Sequence, residues 1–404
     1  MMFGAIIPAI MIVLPMKSSV IDSGDGFWEA VRNLETPQEK DLDMEHKGFG
    51  EAVSVMAAGD FARAESLFTM MRDASDSLVA QESQALLHDI WLYRSRWDKL
   101  KEDTDEGIEE GSDEGNEDGP GLYDVYAELP PRVFTFPQSR QTIPLERSVS
   151  GSPVVEVTVN GKKHKFWLDT GAQGTVISSN TAQDCSVTPL IESGVKAMGA
   201  TSQTVPVSPA ALDSLVIAGI KITNQPVSIM DSKNLTLMGG QIVIEGIIGW
   251  DILKHLVIEI DSGAITLYEP LIAEGRDRNL IWFTVPLVKC RYDSGTPVYF
   301  VLDTGAGRTG LFESAFDRLE IKNFRTDTLT VGAVGGSQKI EVKIVPEVRL
   351  ALDGTEFEFK DVKAMPELRR KGSFVNAVGI LGADAFSAGH CIKVDMTNGV
   401  FEVK

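Results

Sequence analysis

The tetrapeptide Asp-Thr-Gly-Ala occurs twice, at Asp169–Ala172 and at Asp303–Ala306, with the two aspartates 134 positions apart. Each copy ends an apolar, strand-like run: "KFWLDTGAQGTV" in the first and "YFVLDTGAGRTG" in the second. Two carboxyl groups brought within hydrogen-bond reach cannot both ionise easily, so such a pair holds one proton between them. Its ionised member can then take a proton from water while its protonated member polarises an electrophile. The neighbours suit that chemistry: Thr170 and Thr304 carry hydroxyls, and Gly171 and Gly305 leave room above the carboxyl groups for the main chain of a bound molecule.

The elements that would position these residues also recur. Ile143-Pro144-Leu145 upstream of the first copy reads as the counterpart of Val285-Pro286-Leu287 upstream of the second. Downstream, Ile247-Ile248-Gly249 places its glycine 80 residues after Asp169, and Ile380-Leu381-Gly382 places its glycine 79 after Asp303. Short helical pieces follow, in which Asp251 and Asp384 read as caps and not as reacting groups. Between lie "KAMGATSQTVPV" and "VGAVGGSQKIEV", with Gly199 in one and Gly332, Gly335 and Gly336 in the other. From about Leu122 the texture is β: Asn160-Gly161 between alternating runs signals a hairpin, and "TPVYFVLD", "QKIEVKIVPEVRLAL" and "AITLYE" are rich in strand formers. A repeat of this length spans whole lobes.

On these residues the chain from Ile143 to Lys404 resembles the retropepsin-like aspartic peptidases, with two lobes fused in one chain. It is more similar to the retroviral-type and bacterial branch than to the pepsins. Its lobes are short, and Ala172 and Ala306 stand where pepsins usually carry Ser or Thr. The resemblance implies a mainly β fold of two pseudo-symmetric barrel lobes. It implies an aspartic endopeptidase with Asp169 and Asp303 as catalytic residues, acting on a peptide or protein with no cofactor. Thr170 and Thr304 would reach across to each other's loops, with Gly171, Ala172, Gly305 and Ala306 completing them. The hairpins around Gly199 and around Gly332, Gly335 and Gly336 would close as flaps over an extended substrate, and the apolar-apolar-Gly strands would pack behind the loops. Arg308 would meet an acidic substrate residue or form an ion pair. The alternative in another class is a non-catalytic peptide-binding protein built on the same lobes; pairing of lobes between chains is a third arrangement.

The rest of the chain divides by composition. Residues 1–22 hold an apolar run that reads as an export signal or membrane-associated segment, although no basic residue precedes it; a cytoplasmic chain is the alternative. Residues 23–101 read as helical, with Gly59, Phe61, Ala64 and Phe68 spaced as in a tetratricopeptide repeat, and could recruit a protein partner. Residues 102–121 read as a disordered acidic linker, since Glu102–Gly119 holds ten acidic residues and no basic one. The lobes are assigned to 122–270 and 271–404 and expected to pair within one chain as a monomeric pseudo-dimer, able to fold without the helices. A formal net charge of -20 argues against nucleic acid as a partner. Three scattered cysteines read as free thiols, with a Cys290–Cys391 bridge as the alternative, and five scattered histidines give no metal-binding spacing.

Overall fold

The computed structural model of the 404-residue chain describes residues 10–11, 26–37, 42–106, 121–191, 195–199, 204–261, 263–273, 277–293, 295–333, 336–366, 374–387 and 389–404. Most of the N-terminal apolar run, Gly335 and residues 107–120 of the acidic stretch lie outside the described residues. Among the described residues no helix is long and apolar enough to cross a membrane.

The chain is mainly β and forms two barrel lobes with the same order of elements. In the first, Pro153–Val159 and Lys162–Leu168 make a hairpin, closed at Asn160 and Gly161 with φ of 46° and 86°. Positive φ at both turn positions is why Asn-Gly stands there. Val176–Ser178, the long hairpin Val195–Gly199 with Thr204–Ile217, Ile220–Met230 and Gly246–Ile248 follow. The second lobe repeats the order with Val285–Tyr292, Thr296–Leu302, Gly310–Phe312, Arg325–Ala333, Gly336–Leu352, Thr355–Met365 and Gly379–Leu381. Val285-Pro286-Leu287 therefore begins the counterpart of Pro153–Val159, not of Ile143–Leu145. The latter run instead pairs with Ala264–Tyr268 in a sheet shared between lobes. Ile143 stands 26 residues before Asp169 and Val285 only 18 before Asp303, so the two Pro-Leu runs match in residue type and not in position.

The lobes join through that five-stranded sheet, in which Val257–Ile260 of the first pairs antiparallel with Ile392–Asp395 of the second. Helices precede them: α1 (Gly26–Arg32), α2 (Met44–Ala57), α3 (Phe61–Met71), α4 (Ser77–Arg94), α5 (Trp97–Glu106) and α6 (Leu122–Ala127). Asp43, Asp60 and Asp76 cap α2, α3 and α4 by accepting from backbone N–H groups of their first turns. Gly59, at φ 82°, ends the turn after α2, and Ala64 and Phe68 are fully buried on α3. The last helix before the acidic stretch runs to Glu106, so its first five residues, Glu102–Glu106, are helical. The helices are not held away from the lobes. Phe49 of α2 meets Phe374 at 5.7 Å, Phe374 meets Phe283 at 6.0 Å, and Tyr93 of α4 meets Trp282 at 5.1 Å.

Candidate active site

Each aspartate is delivered by a strand that becomes buried as it approaches the lobe boundary. Phe166, Trp167 and Leu168 are all buried before Asp169, as are Val298 to Leu302 before Asp303. The carboxyl-bearing residues are 2% and 0% exposed. Behind them the apolar-apolar-Gly strands run parallel to the delivery strands, with Ile248 opposite Leu168 and Leu381 opposite Leu302. Asp169 N–H donates to Ile248 O at 3.1 Å, and Asp303 N–H donates to Leu381 O at 3.0 Å. Gly249 and Gly382 permit this closeness: a Cβ on the first would lie 2.6 Å from Gly174 O, and on the second 2.4 Å from the Arg308 carbonyl carbon.

The two threonines cross between lobes. Thr170 N–H donates to Thr304 Oγ1 at 3.0 Å, and Thr304 N–H donates to Thr170 Oγ1 at 2.9 Å. Each hydroxyl then donates onward, Thr170 Oγ1 to Leu302 O at 3.0 Å and Thr304 Oγ1 to Leu168 O at 2.6 Å. The N–H and hydroxyl groups of both buried threonines are thereby used, as burial requires. Gly171 N–H donates to Asp169 Oδ1 at 2.8 Å, and Ala306 N–H donates to Asp303 Oδ1 at 3.0 Å. The charge of Asp303 acts on the Asp169 carboxyl across the lobe boundary. Gly305 of the second lobe lies so close that a Cβ on it would sit 2.3 Å from Asp169 Oδ2. Burial, and then the charge of Asp303, hold the Asp169 carboxyl well above its usual range, against the pull of the Gly171 and Ala172 N–H groups. The pair therefore keeps a proton to higher pH than a lone carboxyl would.

A second pair of threonines, which the sequence reading passed over, supports each loop. Thr175 Oγ1 donates to Asp251 Oδ1 at 2.8 Å, and Thr309 Oγ1 donates to Asp384 Oδ1 at 2.7 Å. Both threonines stand six residues after their aspartate, and both acceptors stand two residues after the repeated glycine. That recurrence was the signal available. Asp384 Oδ1 also accepts from Thr309 N–H at 2.8 Å and from the adjacent Ala385 N–H at 3.1 Å, which is not the N2 or N3 donor that a cap takes. Asp251 does not cap: the cap of α8 (Trp250–Leu253) is Gly249, and the second oxygen of Asp251 accepts from Gln225 at 2.6 Å. Its geometry is set by the threonine it holds and not by the helix it opens.

The loops are not equivalent at their edges. Gln173 Nε2 donates to Thr284 O at 3.0 Å, and the Thr284 hydroxyl donates to Asp89 of α4. The first-lobe loop is thus tied to the helices. On the other side Ser152 Oγ donates to Gly305 O at 3.0 Å, while Arg308 is exposed. Gly199 closes the strand Val195–Gly199, and Gly332 and Gly336 lie at the end of the second long hairpin, where Gly332 faces Ser337 and Gly336 faces Ala333. Ile10 and Met11 pair antiparallel with Gly199 and Met198 on the first hairpin's free edge. Cys185, Cys290 and Cys391 are free thiols, the last of them only half-buried.

No curated protein matches the chain. Residues 155–252 and 288–385 each match the family model described as Aspartyl protease, one match to each lobe, and the two lobes belong to the aspartyl protease family in its two-lobed, retropepsin-like form.

Proposed function

We propose that the protein is an aspartic endopeptidase in which Asp169 and Asp303 act as one catalytic dyad. The observation that carries this reading is the pair of buried aspartates at the ends of two loops cross-tied by Thr170 and Thr304, where the charge of one raises the carboxyl of the other. A shared proton leaves one carboxylate able to take a proton from water and one carboxyl able to donate to the scissile carbonyl oxygen. Attack by the activated water gives a tetrahedral diol. The proton then passes to the leaving nitrogen and the C–N bond breaks, restoring the one-proton state. This sequence routes every proton through the two carboxyl groups and the water.

The two long hairpins act as flaps, with Gly199, Gly332 and Gly336 giving their ends the freedom to close over an extended peptide. That the free edge of the first hairpin already accepts a strand, Ile10–Met11, supports main-chain recognition of substrate by strand addition. The test is digestion of an unbiased peptide library by the full chain with and without a statine-type inhibitor, whose hydroxyl occupies the place of the attacking water. Cleavage that the inhibitor abolishes is expected. Binding of library peptides without cleavage would instead make the lobes a peptide-binding module.

A further inference from the structure

Away from the dyad, at the other end of the strand that delivers Asp169, three electron-pair donors converge. His164 Nε2 lies 3.2 Å from Cys185 Sγ and 3.2 Å from Asp184 Oδ2, and the three atoms all lie within 4.8 Å of one another. The other ring nitrogen, Nδ1, faces Glu245 Oε2 at 3.3 Å, and that oxygen is fixed by the Lys165 N–H at 2.7 Å. With Nδ1–H donating to Glu245, the Nε2 lone pair points toward a carboxylate oxygen and a sulfur. Without a metal the Cys185 S–H can donate to that lone pair; once the thiol gives up its proton, the three groups offer three electron pairs to one cation.

We propose that His164 Nε2, Cys185 Sγ and Asp184 Oδ2 form a binding site for a divalent zinc-type metal ion, with water as the fourth ligand. Tetrahedral zinc has bonds of about 2.0–2.3 Å, which puts neighbouring ligand atoms roughly 3.2–3.8 Å apart, so small side-chain adjustments close the site. Nitrogen and sulfur donors select zinc over magnesium or calcium. Glu245 supplies the outer carboxylate that fixes the tautomer of a metal-bound imidazole. On binding, the Cys185 S–H bond breaks, its proton leaves to solvent and the thiolate electron pair goes to the metal; nothing is oxidised or reduced. Charge also balances. The thiolate, Asp184 and Glu245 bring three negative charges. Lys162, whose Nζ lies 2.9 Å from the other Asp184 oxygen, brings one positive. The metal brings two.

The site is built rather than incidental. Cys185 is 4% exposed, the His164 side chain is 11% exposed and the Asp184 side chain is 51% exposed, which leaves the water position on the solvent side. The metal would tie three elements: the strand Lys162–Leu168, the C-terminal end of α7 (Ser179–Asp184), and, through Glu245, the start of Gly246–Ile248. These are the elements that hold the Asp169 loop from behind. Asp184 and Cys185 are adjacent at the end of α7 and His164 stands 20 residues before Asp184 on a strand, so no metal-binding spacing announces them.

The experiment uses the reduced full chain, freed of metal with a chelator, titrated with Zn²⁺ by calorimetry and with Co²⁺ as a spectroscopic probe. One Zn²⁺ per chain is expected, together with a thiolate-to-cobalt charge-transfer band. Cys185→Ser is expected to abolish the band and weaken Zn²⁺ binding about tenfold or more, and Glu245→Gln to weaken it about 10–100-fold while keeping the band. Cys290→Ser is expected to change neither. Absence of stoichiometric Zn²⁺ binding to the wild-type chain overturns the proposal, as does a charge-transfer band that persists in Cys185→Ser.

Discussion

At the scale of single residues the site depends on how little separates the two loops. A methyl group on Gly305 would stand 2.3 Å from Asp169 Oδ2, closer than any contact allows. Gly305→Ala should therefore displace the carboxyl group and lower kcat/KM by about 10²-fold or more, since a misplacement of about 1 Å costs that much. Steady-state kinetics beside a thermal midpoint check it: an active Ala variant would mean the loops approach less closely than described. Asp89 makes a prediction about pH. Burial pushes its carboxyl up to about 7 from an ordinary 3.8, and its Oδ1 has no hydrogen-bond partner. A folded-state value above the unfolded one means the folded chain binds the extra proton between those values. Stability from this group is thus complete below about pH 4 and declines as pH rises through about 7. Asp89→Asn should remove that decline and raise stability at pH 8 by roughly 1–4 kcal/mol, given ~1.4 kcal/mol for each pKa unit. Urea midpoints across pH 4–8 for both chains measure it; parallel curves would contradict it.

At the scale of elements, the crossing of Thr170 and Thr304 is what makes two β loops into one site. Thr304→Val keeps the shape but leaves the Thr170 N–H without its acceptor and Leu168 O without its donor. A buried orphan costs about 1–3 kcal/mol, so the variant should lose about that in urea unfolding. It should also lose activity beyond what stability explains; a variant as stable as wild type would remove the crossing from the account. Much of this was legible in the sequence. Asp-Thr-Gly-Ala is local, its neighbours are set by the strand that enters and the turn that leaves, and the repeat doubles the signal. The Thr175–Asp251 and Thr309–Asp384 clasps were less legible, because each joins residues 76 or 75 positions apart and only the recurrence of both partners marks them. The counterpart of Pro153–Val159 was misread because the two Pro-Leu runs agree in residue type while standing 26 and 18 residues before their aspartates. The His164–Cys185 grouping was invisible as a motif, since strand and helix bring its members together only on folding.

At the scale of the molecule, composition suggests helices on an acidic leash, whereas packing suggests a third layer on the two lobes. Phe49 with Phe374, Tyr93 with Trp282, and Trp97 with Tyr126 are contacts that a free-standing lobe pair would expose. A chain beginning at Leu122 should therefore aggregate or unfold at least 10 °C lower than the full chain, an effect of several kcal/mol. Solubility and a thermal scan decide it, and an equally stable truncated chain would restore the leash. The central claim also belongs to this scale, because the dyad exists only if both lobes supply a carboxyl group to the same proton. It is tested most directly by kcat/KM and its pH profile for wild type, Asp169→Asn, Asp303→Asn and the double variant. Residues that act as a unit are not additive. Each single change should remove nearly all cleavage, the double change should cost little more, and the wild-type profile should be a bell that reports the pair. Undiminished cleavage by Asp303→Asn would contradict the account, leaving the second lobe as scaffold and Asp169 to find its partner elsewhere.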